Sequence, residues 1–453
     1  MAIHPSNAHL LGPGITRIAV TGFKSLATKT DVEIRPLTVL AGANSSGKSS
    51  LMQPLLLMKQ TLESNFNAAG PFLLSGPYVE YSKTRQFLSH TGKPDGSQQP
   101  LTLEFGFNEG LTAGMVYSGG PGTGLRVVES WGSNTVKNSK WKISKNSTPE
   151  ELKPMLLQLG SIPLFLLMDQ AGFTRASVQD SGFYQSIVFS APEPPGRIRG
   201  ESYFMQENLE LNSLIRTLIY VPGVRGGQGR KKLLADVTEH GFFAGSFEEY
   251  VPSLIFSWVL PSNHPKIHAL VDALRMLDLA SGISPLMLNE SELEVRIPRT
   301  RDSADDDFVN IADVGLAIPT ILPVLVALIQ AAPGQLVFIE QPELHLHPRA
   351  QLKLAQLLAE AANRGVRLVI ETHSSLLLRG ILTEIGKDKI SNEKVILHWF
   401  ERDKETGVST VHSKEPDPAG RVGDWPEDFG DVELGSDNDY LNAAEGKLFA
   451  AKK

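Results

Sequence analysis

The stretch LTVLAGANSSGKSS, residues 37–50, decides how this chain must fold. Leu37–Ala41 is an apolar, strand-like run, and Gly42–Ser49 then fits the pattern G-x-x-x-x-G-K-[ST] in full. Residues 49–63, SSLMQPLLLMKQTLE, read as a helix, with Pro54 early, near the turn where proline is best tolerated. Strand, glycine-bearing turn and helix start, in that order, make a phosphate cradle. The glycines let the backbone curl until several N–H groups point inward, and the helix N-terminus adds the positive end of its dipole. Gly42, Asn44, Ser45, Ser46, Gly47 and Ser50 are expected to surround the phosphates. Lys48 would put a point charge on the outer ones, and Ser49 would offer a hydroxyl to Mg2+.

Such a cradle needs a second strand that delivers a carboxylate to the metal. Residues 336–348, LVFIEQPELHLHP, supply one: an apolar run that ends on Glu340, at the edge where ligands sit in parallel sheets. Glu340 and Ser49 are therefore the expected metal pair. Gln341 stands where a general base would polarise water. An amide can orient water but cannot take its proton at neutral pH, so Glu343 is the reserve acid. In ETHSS, residues 371–375, His373 ends the next strand and is expected to sense the terminal phosphate. His345 and His347 are spaced i, i+2 with no third ligand nearby, which favours a loop role over a metal pair.

Composition bounds the rest. The chain has 453 residues, 41% of them hydrophobic and 21% charged, as in a globular protein with room for two or three domains, or for one large α/β domain carrying an insertion. Its net charge of −7 gives no global basic field for nucleic acid, so DNA would need a local patch. The candidate is VRGGQGRKK, with Arg225, Arg230, Lys231 and Lys232, although a solvated loop is the plainer reading. There is no cysteine, which removes disulfides, thiolate zinc sites and cysteine nucleophiles together. The N-terminus lacks a secretory pattern, and the longest apolar run, TILPVLVALI, falls short of the roughly 18 residues of a membrane span. A cytoplasmic protein is the expectation.

Four segments are expected: a lobe at 1–118, an insertion of mixed structure at 119–215, a second lobe at 216–410, and a small appendage at 411–453. Residues 118–149 are rich in Gly, Ser and Asn, and APEPPGRIRG, residues 191–200, reads as a loop. The final third alternates helix (312–331), strand (335–340), helix (348–363) and strand (366–374). That rhythm, with near-continuous apolar strands, predicts a buried, mostly parallel sheet.

FKS at 23–25, RPLTVLAGANSSGKSSL, IEQPELHLHP and ETHSSLLLR together resemble the OLD-like and RecF-like branch of ABC-type ATPases. The likeness is greatest to prokaryotic "AAA family ATPase" proteins with a small C-terminal domain of unknown function. It covers most of residues 15–120 and 215–445. The resemblance implies an α/β, ABC-type P-loop NTPase head, assembled from both ends of the chain around a central insertion. It implies ATP and Mg2+ as cofactors, and a homodimer or higher homo-oligomer in which a signature helix completes the partner's site. That helix is DVGLAIPTILPVL, residues 313–325. Gly315 and Pro323 fit the family pattern, whereas Ala317, Pro319 and Thr320 replace a glycine, a serine and a glutamine. The missing serine and Gln341 imply weak turnover. About 75 residues follow ETHSS, too few for the nuclease domain of OLD proteins at ordinary domain sizes. Relatives in antiviral systems such as Septu and PARIS imply a sensor or scaffold that controls a separate nuclease. A RecF-type, DNA-clamping repair protein is the alternative.

Overall fold

The computed structural model describes residues 14–64, 70–90, 99–107, 110–119, 124–136, 138–148, 150–152, 155, 175–181, 183–193, 197–203, 206–225, 229–237, 241–260, 264–300, 307–423 and 441. Strands β1 (Ile15–Thr21) and β2 (Thr30–Glu33) pair antiparallel. Pro36 separates them from β3 (Leu37–Gly42), which runs through the phosphate loop into α1 (Lys48–Glu63). Then β4 (Leu101–Phe107), β5 (Leu111–Ser118), β6 (Arg126–Asn134) and β7 (Ser139–Ser144) complete an antiparallel sheet ordered β2-β1-β4-β5-β6-β7. Strands β8 (Arg175–Ser181), β9 (Tyr184–Glu193) and β10 (Arg197–Tyr203) form a separate antiparallel meander.

Helix α2 (Gln206–Thr217) leads into β11 (Ile219–Val221). The chain continues through β12 (Lys232–Leu233), α3 (Phe247–Val259), α4 (Pro265–Met276), β13 (Ser284–Met287), β14 (Glu292–Pro298) and β15 (Phe308–Asn310). The four strands of this stretch after β11 form a small antiparallel sheet around β14. The last third is α5 (Ala317–Gln330), β16 (Leu336–Glu340), α6 (Pro348–Asn363), β17 (Arg367–Glu371), α7 (Ser375–Gly386), β18 (Val395–Arg402) and β19 (Ser409–Lys414).

The central sheet is ordered β11-β16-β17-β3-β18-β19, parallel except for β19. The N-terminal phosphate-loop strand thus lies between two strands from the C-terminal third. This is the α/β P-loop head, assembled from both ends of the chain. Its inner strands β16, β17 and β3 are largely apolar because each face has its own core. Leu37, Val39, Val337, Ile339, Leu368 and Ile370 face the cluster under α3 to α7. Leu40, Leu336, Phe338, Val369 and Phe400 face the cluster shared with α1 and the antiparallel sheet. Among the described residues no helix is long and apolar enough to cross a membrane.

Two expectations need correction. The boundary at residues 118/119 falls inside a sheet, since β6 and β7 continue the pairing begun by β1. Its Gly and Ser content hid the strands for a packing reason: a Cβ at Gly114 would meet the Trp131 ring at 2.3 Å, and one at Gly132 would meet Trp141 at 2.5 Å. These glycines make room for tryptophans on the neighbouring strand. Of the loop expected at 191–200, residues 191–193 are the end of β9 and 197–200 the start of β10, paired at Glu193↔Arg197, while 194–196 lie outside the described residues. Most of the appendage, from residue 424, lies outside the described residues.

Candidate functional site

The loop geometry follows from its glycines. Gly42 adopts φ +140°, and a Cβ there would lie 2.2 Å from the Phe400 carbonyl of β18. Gly47, which caps α1, adopts φ +105°, and its Cβ would meet Ser409 Oγ at 2.8 Å. A side chain at either position would push the loop off the sheet. Ser409 then ties the loop down: its hydroxyl donates to the Ser46 carbonyl at 2.6 Å and can accept from the Ser25 hydroxyl at 2.8 Å, and its N–H donates to the Ser25 carbonyl. Ser25 and Ser409 were not singled out from sequence. Ser25 lies in the FKS motif, which is a signal, but nothing marks Ser409 before the β18–β19 hairpin brings it back.

Asn44, Ser45, Ser46, Gly47, Lys48, Ser49 and Ser50 line a cavity of about 700 Å³, and Gln341, Glu371 and His373 line it too. That is ample for a nucleotide. Lys24, Arg85 and His90 also border it, adding basic groups to the wall. Lys48 is buried and donates to the Gly42 and Ala43 carbonyls at 3.1 and 2.8 Å. Burial lowers its pKa, while Glu371 raises it. The Ser46 hydroxyl is buried without a hydrogen-bond partner in the structure.

Of the expected metal pair, Ser49 and Glu340, the structure does not join the two. The Ser49 hydroxyl donates to Glu371 Oε1 at 2.9 Å. Glu340 turns to the other side, accepting from the Tyr220 hydroxyl at 3.1 Å and the Gly223 N–H at 3.0 Å. Glu371 is the register partner of Glu340 on β17, one strand nearer the loop, which is why it gets there first. Its sequence signal is its place as the first residue of ETHSS, at the end of an apolar strand. Burial pushes the Glu371 carboxyl up to about 7; the Ser49 hydrogen bond and Lys48 pull down, and the carboxylates of Glu340 and Glu343 push up.

Glu343 is also buried, and desolvation raises its pKa against the Thr372 hydroxyl, which donates to Oε1 at 2.6 Å. Among the described residues no three acidic or histidine side chains form a metal cage. Mg2+ does not need one, since it keeps waters and takes one or two carboxylates beside substrate phosphates. Glu343 Oε2 and Glu371 Oε2 are buried without partners, and Glu371 touches Ser49. An acidic cluster so desolvated fits a divalent cation.

Gln341 follows β16 with φ +44°, a region that non-glycine residues seldom enter. Its N–H donates to the Glu371 carbonyl at 2.7 Å. His373 is half-buried; burial and Lys48 lower its pKa, and the Gly42 carbonyl raises it. His347 caps α6 with Nδ1 accepting from Arg349 N–H, and His345 is an exposed turn residue at φ +63°, so the two form no metal pair. Gly315 lies in the exposed turn before α5, outside the lining of this cavity.

In the candidate DNA loop one arginine is buried and two of the other cations are exposed but paired with acids. Arg225 is buried and bonded to carbonyls, Arg230 pairs with Asp313 at 2.6 Å, and Lys231 pairs with Glu292 at 3.2 Å. Residues 226–228 lie outside the described residues.

A phosphate loop, a strand-end acid and a strand-end histidine around one cavity define a P-loop nucleotide-binding protein. Comparison with known families agrees: residues 14–159 match the family described as "AAA ATPase domain". Residues 240–379 match the one described as "AAA domain, putative AbiEii toxin, Type IV TA system". The two matches to AAA-type ATPase domains thus lie on either side of the middle of the chain. Among solved structures it is similar to an SMC head bound to the C-terminal winged-helix domain of ScpA, at 12% identity and TM-score 0.44, covering 90% of this chain and 99% of that one. It is also similar to the SMC head domain from Thermotoga maritima (9%, TM-score 0.39, 89% and 99% covered). A third is an SMC head with an extended coiled coil, bound to a ScpA C-terminal domain, from Pyrococcus furiosus (11%, TM-score 0.40, 89% and 96% covered). At these TM-scores the likenesses add nothing to what the strand order shows. No curated protein matches the chain.

Proposed function

We propose that this chain binds Mg–ATP at the Gly42–Ser49 loop, hydrolyses it slowly, and uses its ATP-bound state to govern a separate effector protein. The observation that carries this reading is the shared cavity of Lys48, Ser49, Gln341, Glu371 and His373. The loop N–H groups and Lys48 bind the phosphates, with the α1 N-terminus behind them. Ser49 and Glu371 would hold Mg2+, with Glu340 behind; when bound, the ion neutralises charge on the outer phosphate oxygens. Gln341 orients the attacking water through its amide. His373, kept neutral by burial and by Lys48, donates toward the terminal phosphate. Phosphoryl transfer is mostly positioning, so an amide in place of a base slows turnover without forbidding it.

The effector half of the proposal draws on the resemblance to two-gene antiviral systems, in which the partner is a nuclease. The "Type IV TA system" wording of the match to residues 240–379 supports a partnered role. A homodimer closed on ATP through the turn at Gly315 fits the same picture. The repair alternative is disfavoured because acids occupy the candidate phosphate-binding residues Arg230 and Lys231. The test is binding of a fluorescent ATP analogue and ATP hydrolysis by the purified chain, with and without Mg2+, alongside co-purification of the product of a neighbouring gene. Absence of analogue binding would sink the reading.

A further inference from the structure

Arg225, between β11 and β12, is 9% exposed and donates its whole guanidinium to main-chain carbonyls. Nε donates to Thr320 at 2.7 Å, Nη1 to Pro222 at 2.9 Å and Glu340 at 2.7 Å, and Nη2 to Gln341 at 2.7 Å. Three of these acceptors lie about 95 to 116 residues away in sequence. Thr320 is in the first turn of α5, and Glu340 and Gln341 are the end of β16 and the residue after it. One planar cation therefore fastens the helix start to the site of the water-orienting amide.

The fastening matters because Gln341 is in a backbone conformation it would not keep unaided. Its φ of +44° is held from two sides: its N–H donates to the Glu371 carbonyl and its carbonyl accepts from Arg225. Gln341 lines the nucleotide cavity, and those main-chain bonds fix the peptide from which its side chain departs. At the other end of the guanidinium, Thr320 is buried, while Gly315 and Leu316 just ahead of it are exposed. Thr320 N–H and Oγ1 both bond back to the Leu316 carbonyl at 3.1 and 2.7 Å, so the turn and the helix move together.

We propose that Arg225 is a positioning residue that locks the Gln341 peptide and the Gly315–Thr320 turn into one rigid unit, so that contact at the exposed turn is felt at the water-orienting amide. This rests on the cavity being an ATP site. A lysine keeps the charge but not the fork, and cannot reach carbonyls on three segments at fixed angles.

The test compares Arg225→Lys with wild type. Without nucleotide, hydrogen exchange of peptides spanning 316–323 and 339–346 should rise together by about tenfold, with the rest of the central sheet unchanged. With Mg–ATP, kcat should fall by about tenfold or more, while affinity for a fluorescent ATP analogue stays within about twofold. Loosening of one segment alone, an unchanged kcat, or a joint fall of affinity and global protection would overturn the proposal. Should Arg225→Lys not fold, the wild-type chain decides: the two segments must open at a common rate, and separate rates overturn the unit. A wild type that fails to bind the analogue sinks the ATP reading, whereas the nucleotide-free exchange still decides the rigid unit.

Discussion

Lys48 is 3% exposed, and among the described residues its hydrogen bonds go to the carbonyls of Gly42 and Ala43. Burying that ammonium costs stability, so removing it should not harm the fold. Lys48→Ala is expected to weaken ATP-analogue binding by about tenfold or more, the worth of one charged hydrogen bond at roughly 1.5–3 kcal/mol, with an unchanged or raised melting temperature. Equal affinity of variant and wild type would remove Lys48 from the phosphates. Glu371 carries a pH prediction. Its pKa of about 7 in the fold lies above the ordinary 4.5. Between those values the folded chain holds a proton that the unfolded chain has released. Stability therefore falls as pH rises through that window and levels off above it. The span is on the order of 3 kcal/mol, at about 1.4 kcal/mol per pKa unit. Glu371→Gln should flatten that slope and be more stable than wild type at pH 8 in urea unfolding. Some slope should remain, because Glu343 is shifted the same way. Parallel pH curves for the two proteins would show that the Glu371 carboxyl bears no such burden.

Elements were legible where one physical signal dominated. Helix α6 was read from Pro348 at its start and Gly365 past its end, and the structure spans Pro348–Asn363 with Gly365 at φ +92°. Strands β16 and β17 were read from apolar runs that bury both faces. What escaped was whatever depends on a partner far along the chain: the Trp-over-Gly packing of β5 to β7, the Ser409 clamp, and the Glu340–Glu371 register that decides which acid reaches Ser49. Helix α5 shows the same limit. Aligned by sequence, Pro319 takes the place of a signature serine, but Pro319 and Thr320 are buried, and the exposed residues are Gly315 and Leu316. Pro319→Ser alone is thus expected to change turnover by less than about twofold, since a hydroxyl there points into packed surroundings. Leu316→Asp places a charge on the exposed turn. It should abolish any ATP-dependent increase in mass, read by light scattering, while leaving analogue binding intact. Unaltered assembly would move the interface elsewhere.

At the scale of the whole molecule, the sheet lets one event be felt at both ends of the chain. β3 brings the phosphate loop from the N-terminal segment, β16 and β17 bring the acids from the C-terminal third, and nucleotide binding must grip both. Ligand binding stabilises by about 2.7 kcal/mol at one hundred times Kd, so saturating Mg–ATP should raise the unfolding temperature of the whole unit together. On the proposed reading, how long that grip lasts depends on Gln341. A glutamate there could accept a proton from water, which an amide cannot. It would also add a fourth carboxylate to Glu340, Glu343 and Glu371, and like charges in a desolvated site raise one another's pKa. Gln341→Glu is therefore expected to turn ATP over faster, by about tenfold or more on the usual worth of a general base. Without nucleotide it should be less stable than wild type above pH 7, where the added charge is unrelieved. Its Mg–ATP-dependent assembly should be shorter-lived in mass measurements over time. Faster turnover with shorter dwell makes the amide a brake that keeps the chain in its ATP state. If neither protein hydrolyses ATP yet both assemble on it, the nucleotide holds the assembly together and the chemistry belongs to a partner.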